Sequence, residues 1–198
     1  MAYSNFDIEK VETELGITVD YSKDLFQDTL PVSPSAWLSQ TLSIFLPMGT
    51  TLTTEKSRSE FIIAPVLGDV AHQTHEKVLL FSGNEFNVDV DRGLNGFCDF
   101  LISRSSDPTK IQAPVLMIVE AKKEDIFSGV GQCIAELVAA QIFNQHRNQP
   151  RSRLYGAVSS GSNWRFIVLE GTTAYLDRTE YYISQVDKIL GILLYAVQ

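Results

Sequence analysis

The chain has 198 residues, 44% of them hydrophobic, and a formal net charge of −8 at pH 7. This length and apolar content predict an ordinary globular protein with one substantial core, and the acidic balance argues against a surface that grips phosphates widely. No apolar run approaches the length of a membrane span, and the opening "MAYSNFDIEK" lacks the basic start and apolar stretch of a signal peptide, so we expect a cytoplasmic protein without a membrane partner.

The first fifty residues differ from the rest in their mixed polarity and weak periodicity. We interpret residues 1–50 as an N-terminal helical elaboration packed on a domain formed by residues 51–198. Ser33 and Pro34 are suited to be the N-cap and the first residue of a helix, and the apolar spacing that follows predicts that this helix ends at Pro47.

Helical and alternating segments then follow one another. A second helix is expected to begin near Thr54, whose hydroxyl can cap it, and to be kinked at Pro65. Alternation and turn residues predict strands at 77–83, 85–91, 96–104 and 115–121, a hairpin of 153–160 with 164–171, and a short strand at 173–176, with the first turn at Gly83 and Asn84. Helical spacing predicts helices at 128–145 and 180–197. This order predicts an α/β protein with a mixed central sheet flanked by helices.

Charged residues end the strand "VLMIVEAKKE" at positions 115–124. Alternation places Glu120 and Lys122 on one face, and pairing with the preceding strand would bring Asp99 beside them. Two carboxylates that share one place raise each other's pKa unless a cation lies between them, and hard oxygen ligands suit Mg²⁺ or Mn²⁺. The backbone carbonyl of Ala121 is a candidate third ligand. The alternative is a structural ion pair where a strand has reached water.

In sequence order, Glu60 lies in a helix before the sheet, Asp99 in a central strand ("GFCDF"), Glu120 and Lys122 at the next strand end ("VEAKK"), and Gln132 at the start of the following helix ("GVGQC"). This series resembles the PD-(D/E)xK nuclease superfamily, and it is similar to RecB-type and Type I restriction subunit nuclease domains. The resemblance implies the restriction-endonuclease-like fold, which has three layers, α/β/α.

The resemblance extends over about residues 54 to 170 and includes two departures. Cys98 occupies the position where the family name expects proline, and Glu136 occupies the position where RecB-type proteins place a tyrosine four residues after the glutamine. The second departure bears on the role of Gln132.

The resemblance implies a metal-dependent nuclease that hydrolyses phosphodiester bonds of nucleic acid, with DNA as the expected substrate, in restriction or repair. Asp99, Glu120 and the Ala121 carbonyl would hold Mg²⁺ or Mn²⁺, which would polarise the scissile phosphate and acidify a water. Lys122 would orient that water and offset charge in the transition state. Glu60 would bind a second metal ion or its water, and Gln132 would position a phosphate or Lys122; a solvated helix face is the alternative for Glu60.

The only basic cluster on this acidic chain is "HRNQPRSR", with Arg147, Arg151 and Arg153. These arginines are candidate contacts to a phosphate backbone, with a solvated loop as the alternative. Because an acidic chain gains little from counterion release, we expect weak DNA affinity from the isolated chain, with a protein partner or a homodimer supplying the rest.

Two other interpretations of function remain open at this point. In one, the chain is a catalytically silent binding or assembly module that kept the nuclease fold. In the other, it is a structural subunit that acts only inside a larger restriction or repair complex.

His72 and His75 lack further ligands for a zinc site. Cys98 and Cys133 are expected to be reduced, partly buried thiols.

Overall fold

A computed structural model describes residues 2–52, 54–75 and 77–198. The helices are α1 (Ile8–Leu15), α2 (Ala36–Thr51), α3 (Glu55–Arg58), α4 (Ala64–Gln73), α5 (Val130–His146) and α6 (Val186–Ala196), and the strands are β1 (Thr18–Asp20), β2 (Leu79–Glu85), β3 (Phe97–Ser103), β4 (Val115–Ala121), β5 (Leu154–Ser159), β6 (Asn163–Glu170), β7 (Thr173–Leu176) and β8 (Tyr181–Tyr182). A π-helical turn, Ser59–Ile63, joins α3 to α4, and short 3₁₀ turns lie at Tyr3–Asn5, Ile126–Gly129 and Ile183–Gln185.

The strands form one mixed sheet in the order β1-β7-β6-β5-β4-β3-β2, and β8 pairs with β6. Neighbouring strands are antiparallel except for two parallel pairs, β4 with β5 and β1 with β7. The parallel pair β4–β5 is connected through α5, as a parallel connection requires a crossover. The predicted α/β class with a mixed sheet and helices is confirmed.

Helices cover both faces of this sheet, and each face has its own apolar core. One core lies between the sheet and α1 and α5, and the other lies between the sheet and α2, α4 and α6. All seven residues of β4 are buried because both of its faces are covered. β4 is therefore a central strand whose last residues emerge directly between the helical layers.

Helix α5 is the element on which the site depends most. With the preceding 3₁₀ turn it forms a run, Ile126–His146, that is long and apolar enough to cross a membrane by length and composition alone. In the structure, 67% of the 18-residue apolar stretch within this run is buried inside the protein, because α5 packs against both the sheet and α1. Its apolar character is thus accounted for by the core.

The predicted strand at 85–91 is wrong. β2 passes straight through the expected turn at Gly83, which adopts a φ of 65° that costs glycine little, and continues to Glu85. Beyond it the chain makes an irregular excursion with a single bridge between Asp89 and Leu94, and it reverses before Gly93. The pairing partner of β2 is therefore β3.

Two helix boundaries also differ from expectation. Helix α2 begins after Ser35, whose hydroxyl accepts a hydrogen bond from the Leu38 N–H, and it runs through Pro47 to Thr51. Thr54 does cap the next helix, by accepting a hydrogen bond from the Ser57 N–H at 3.1 Å. Pro65, where a kink is predicted, lies in the first turn of α4, and the π-helical turn Ser59–Ile63 comes just before it.

Candidate active site at the end of β4

A chain of polar side chains runs from the end of β4 into the interior. The Lys122 ammonium donates to Glu120 Oε1 at 2.5 Å and to Gln132 Oε1 at 3.4 Å. The Gln132 amide in turn donates from Nε2 to Glu136 Oε1 at 3.1 Å. Glu136 is completely buried and Glu120 is 2% exposed, so the chain leads from a partly open strand end to the centre of the protein.

Backbone geometry fixes the two halves of this chain against each other. The Lys122 N–H donates to the Ser159 carbonyl at 2.8 Å, which holds the strand end beside β5. The turn before α5 then passes close to the lysine at Gly129, where a Cβ would lie 2.9 Å from Lys122 Cε and 2.8 Å from Val158 Cγ1. Only glycine lets α5 begin this close to the lysine side chain.

Asp99 reaches the same place from the neighbouring strand. The regular β3–β4 pairing stops at Phe100 and Val119, and beyond it Asp99 Oδ2 accepts a hydrogen bond from the Ala121 N–H at 2.8 Å. The expected neighbourhood of Asp99 and Glu120 on adjacent strands is thus present, although Asp99 is anchored by the backbone of β4. Its Oδ1 remains for another ligand.

Burial and crowding strongly perturb the acids of the site. Burial, and then the charge of Asp99, raise the pKa of Glu120 to about 8, against the opposing effect of Lys122. Burial, and then the charge of Glu120, raise the pKa of Glu136 well above its usual range. For Lys122, burial acts to lower the pKa, but Glu120 and the other acids outweigh it, so the pKa is raised and the ammonium stays charged.

The site has more acceptor oxygens than donors. Glu120 Oε2 and Glu136 Oε2 are both buried and lack a hydrogen-bond partner among the described residues. A buried carboxylate oxygen without a partner costs free energy unless a proton or a cation compensates it. Lys122 is one cation beside two acids, Glu120 and Asp99. A further cation would therefore bring the charges of the site closer to balance.

This donor set fits a hydrated Mg²⁺ or Mn²⁺ ion better than a fully caged metal. Over the part of the chain that the structure describes, no group of three or more His, Cys, Asp or Glu residues is arranged to hold a metal. Mg²⁺, however, is commonly held by only one or two carboxylates and keeps several waters. Glu120 Oε2, Asp99 and the Ala121 carbonyl are the oxygens that would hold it.

Of the two acids on the helical segment before the sheet, Glu55 and Glu60, the charge of Glu55 acts on Glu120. After burial and Asp99, Glu55 is the remaining charge that raises the pKa of Glu120. Glu60 lies in the π-helical turn, is 54% exposed and pairs with Lys56 at 3.0 Å. The wider π turn changes which side chains face the sheet, and α-helical spacing cannot anticipate this. Glu60 therefore occupies a solvated face.

The three arginines lie at the other end of the sheet. Arg147 ends α5, and Arg151 and Arg153 precede β5, whereas the site lies where β4 and β5 end. The length of β5 separates the two ends by about 17 Å. At that end, Arg147 lies over the Phe143 ring, Arg151 donates to the Gln198 carbonyl, and Arg153 pairs with the Glu170 carboxylate. The structure thus separates them from Asp99, Glu120 and Lys122.

Sequence reasoning left two acids of this region without a role, Glu136 and Glu55. The spacing contained a signal for Glu136, because it follows Gln132 by four residues and so lies on the same face of α5. For Glu55 no comparable signal exists, since its effect on Glu120 depends on tertiary structure.

The remaining candidates for a metal ligand or a nucleophile are two cysteines and two histidines. Cys98 and Cys133 are free and buried, and burial raises the pKa of both thiols. His72 lies in the last turn of α4 and His75 just beyond it, at a φ of 52°.

A scan of the chain against protein-family models and a search of curated proteins found no match.

Proposed function

We propose that this chain is a Mg²⁺- or Mn²⁺-dependent nuclease that hydrolyses phosphodiester bonds, with DNA as the expected substrate, in restriction or repair. The observation that carries the proposal is the buried, partner-less Oε2 of Glu120, next to Asp99 and Lys122. Burying the Glu120 carboxyl beside a second acid, with one ammonium for the two, costs free energy that an exposed ion pair would avoid. This arrangement suits a place where a divalent cation and a phosphate are held together.

The proposal includes the restriction-endonuclease-like fold. The elements that carry the resemblance occur in the order it requires, with a helix before the sheet, Asp99 on β3, Glu120 and Lys122 at the end of β4, and Gln132 in the first turn of α5. Helices on both faces of the mixed sheet are the layers such a fold needs.

Each side chain has a distinct role in this proposal. When bound, Mg²⁺ polarises the phosphate and makes a water more acidic. Lys122 has three N–H donors, so it can remain on Glu120 while another donor contacts a phosphate oxygen or the attacking water. Its positive charge then offsets the negative charge that develops on the phosphate in the transition state. Gln132 Oε1 accepts a second hydrogen bond from the ammonium.

In this proposal the first substrate contacts come from the end of the sheet at which β4 and β5 terminate. Arg58 lies at this end, where its guanidinium donates to the Ser160 carbonyl and the Ser162 hydroxyl, both at 3.1 Å. Arg147, Arg151 and Arg153 would be reached only by a nucleic acid that extends along the domain. Weak affinity of the isolated chain and help from a protein partner or a second copy follow from the net charge of −8.

The test combines metal binding with cleavage. Calorimetric titration with Mn²⁺ should detect binding to the wild type and none to Glu120→Gln, and crystals soaked in Mn²⁺ should show anomalous density between Asp99 and Glu120. Single- and double-stranded DNA and RNA, incubated with Mg²⁺ or Mn²⁺ and with EDTA as the control, should be cut only when the metal is present. Equal Mn²⁺ affinity in the two proteins would refute the proposed site.

The second candidate function is a catalytically silent module of a larger complex. It is favoured by the acidic charge and by the distance between the basic cluster and the strand end. Nucleic-acid or protein binding without Mn²⁺ binding and without cleavage would support this alternative against the nuclease.

A further inference from the structure

We propose that Glu136 is a positioning residue, which holds the Gln132 amide in the orientation that directs Lys122 onto Glu120. Its effect on cleavage rests on the nuclease function proposed above, but the positioning itself does not. The four side chains form an uninterrupted series of three hydrogen bonds that ends at Glu136 Oε1. Glu136 itself lies too deep to touch a substrate, because it is completely buried.

The donor and acceptor inventory explains why position 136 needs an acceptor. The Lys122 ammonium has only donors, so Gln132 must present its oxygen to it. This orientation turns the Gln132 NH₂ group inward, where an acceptor must meet it in a dry environment. An apolar residue at 136 would leave that NH₂ group unpaired, and the amide would then be free to rotate and face the lysine with its own donors.

Glu136 fulfils this role without adding a further negative charge. Its burial, together with the nearby charge of Glu120, raises the pKa of Glu136 well above the usual range, which favours the neutral acid. A neutral acid still accepts a hydrogen bond through its carbonyl oxygen. The charges that act on it are those of Glu120, Asp99 and Lys122; the other titratable groups near it are Tyr3 in the first 3₁₀ turn, Cys98 on β3 and Cys133 on α5 itself.

The residue is not placed there for stability. Glu136 Oε2 has no partner among the described residues, and the neighbours on α5, among them Cys133, Leu137 and Ala140, are buried and apolar. The cost of burying an incompletely bonded carboxyl opposes the stabilisation from its hydrogen bond to Gln132, so the acid adds little net stability. A residue kept only for packing would be apolar at this position.

Two substitutions separate positioning from packing and from charge. Glu136→Met keeps the side-chain length and removes the acceptor, whereas Glu136→Gln keeps an acceptor and cannot ionise. The matched control is Asp69→Leu, because Asp69 is also a fully buried acid and accepts a hydrogen bond from a glutamine four residues away, Gln73, at 2.8 Å, but in the opposite helical layer.

Three measurements on the full chain are compared: hydrogen exchange of the Gln132 side-chain NH₂ by NMR, the melting temperature, and kcat and KM for Mg²⁺-dependent cleavage. Glu136→Met should lose the slow exchange of the Gln132 amide while its melting temperature changes little, because removing an incompletely bonded buried carboxyl offsets the loss of the acceptor for the Gln132 NH₂ group. Its kcat should fall about a hundredfold with little change in KM, as expected for a misplaced catalytic group. Glu136→Gln should recover both the slow exchange and the cleavage, and Asp69→Leu should leave both untouched.

Slow exchange of the Gln132 amide that persists in Glu136→Met would overturn the proposal, and so would loss of that protection in Glu136→Gln. The NMR measurement needs no catalysis, so the two proposals fail separately. A wild type that neither binds Mn²⁺ nor cleaves nucleic acid but shows the expected exchange pattern supports the positioning and refutes the nuclease. A Glu136→Met variant that cleaves like the wild type refutes the positioning and leaves the nuclease intact.

Discussion

Glu120 couples the stability of the folded chain to pH in a direction opposite to that of an ordinary surface acid. Its folded-state pKa is raised from 4.5 to about 8, so the folded protein binds a proton that the unfolded chain releases. The stabilisation is fully present below about pH 4.5 and is lost as the pH rises through about 8. Integrating over this shift gives a loss of about 3–4 kcal/mol in the free energy of unfolding between pH 5 and pH 8 from this one group.

The perturbation that isolates this effect is Glu120→Gln, which keeps the shape and removes the titration. Urea unfolding is measured at pH 5, 6, 7 and 8 in EDTA, and the free energies of wild type and variant are subtracted at each pH, because Glu136 contributes a slope of the same sign to both. The difference should grow by about 3–4 kcal/mol in favour of the variant from pH 5 to 8. Glu170→Gln, which removes a 45% exposed acid at the far end of the sheet, is the control and should follow the wild type.

Metal addition makes the same experiment specific for the proposed site. At pH 8, Mg²⁺ should restore stability to the wild type by binding the ionised carboxylate, with a gain that rises with its concentration, and should leave Glu120→Gln unchanged. Parallel pH dependences of wild type and Glu120→Gln would refute the reasoning, because they would mean that Glu120 titrates in the folded state as it does in the unfolded chain.

Three further outcomes follow from the structure. Lys122→Ala should retain Mn²⁺ binding in calorimetry, since lysine is not a ligand, and lose cleavage by about a hundredfold or more, whereas Glu120→Ala should lose both. Alanine at Arg147, Arg151 and Arg153 together should weaken DNA binding and flatten its salt dependence in a fluorescence titration without lowering kcat at saturation; unchanged binding would exclude them as contacts. Gly131→Ala should lower stability by about 1–3 kcal/mol in urea unfolding, because its Cβ would lie 2.5 Å from Asp7 Cα; Gly68→Ala, with only the Trp37 ring at 3.7 Å, is the control and should not destabilise.

The sequence predicted those parts of the fold in which local chemistry and tertiary structure agree. The strand ending in Glu120 and Lys122, the helix over 130–146 and the hairpin of β5 and β6 all combine a clear period with a clear turn or terminus. The prediction fails at Gly83, because a glycine with a left-handed φ can lie inside a strand as well as in a turn. It also fails at Pro47, because a proline near the end of a helix does not have to terminate it.

The same difference between local and tertiary information separates the site residues that the sequence predicts correctly from the others. Asp99, Glu120 and Lys122 were found because strand alternation and the pairing of consecutive strands are local rules, and the structure brings these residues together. Glu60 is predicted only because the resemblance requires an acid on the helix before the sheet, and this requirement does not say which way the side chain points; in the structure it lies in the π-helical turn Ser59–Ile63 and is 54% exposed. The arginines were grouped by sequence proximity, which does not reveal that the loop after α5 and the end of β4 lie at opposite ends of the sheet.

Helix α5 explains why the innermost acid escaped a functional assignment. Hydrophobic periodicity separates a buried face from a solvated face, and this distinction fails for a helix that packs against the sheet on one side and against α1 on another. On such a helix a polar residue cannot be assumed to face water. Glu136 is completely buried, so its carboxyl must be accounted for by a partner, and the partner it has is Gln132 of the candidate site. Its burial therefore points to the site more directly than its position in the sequence does.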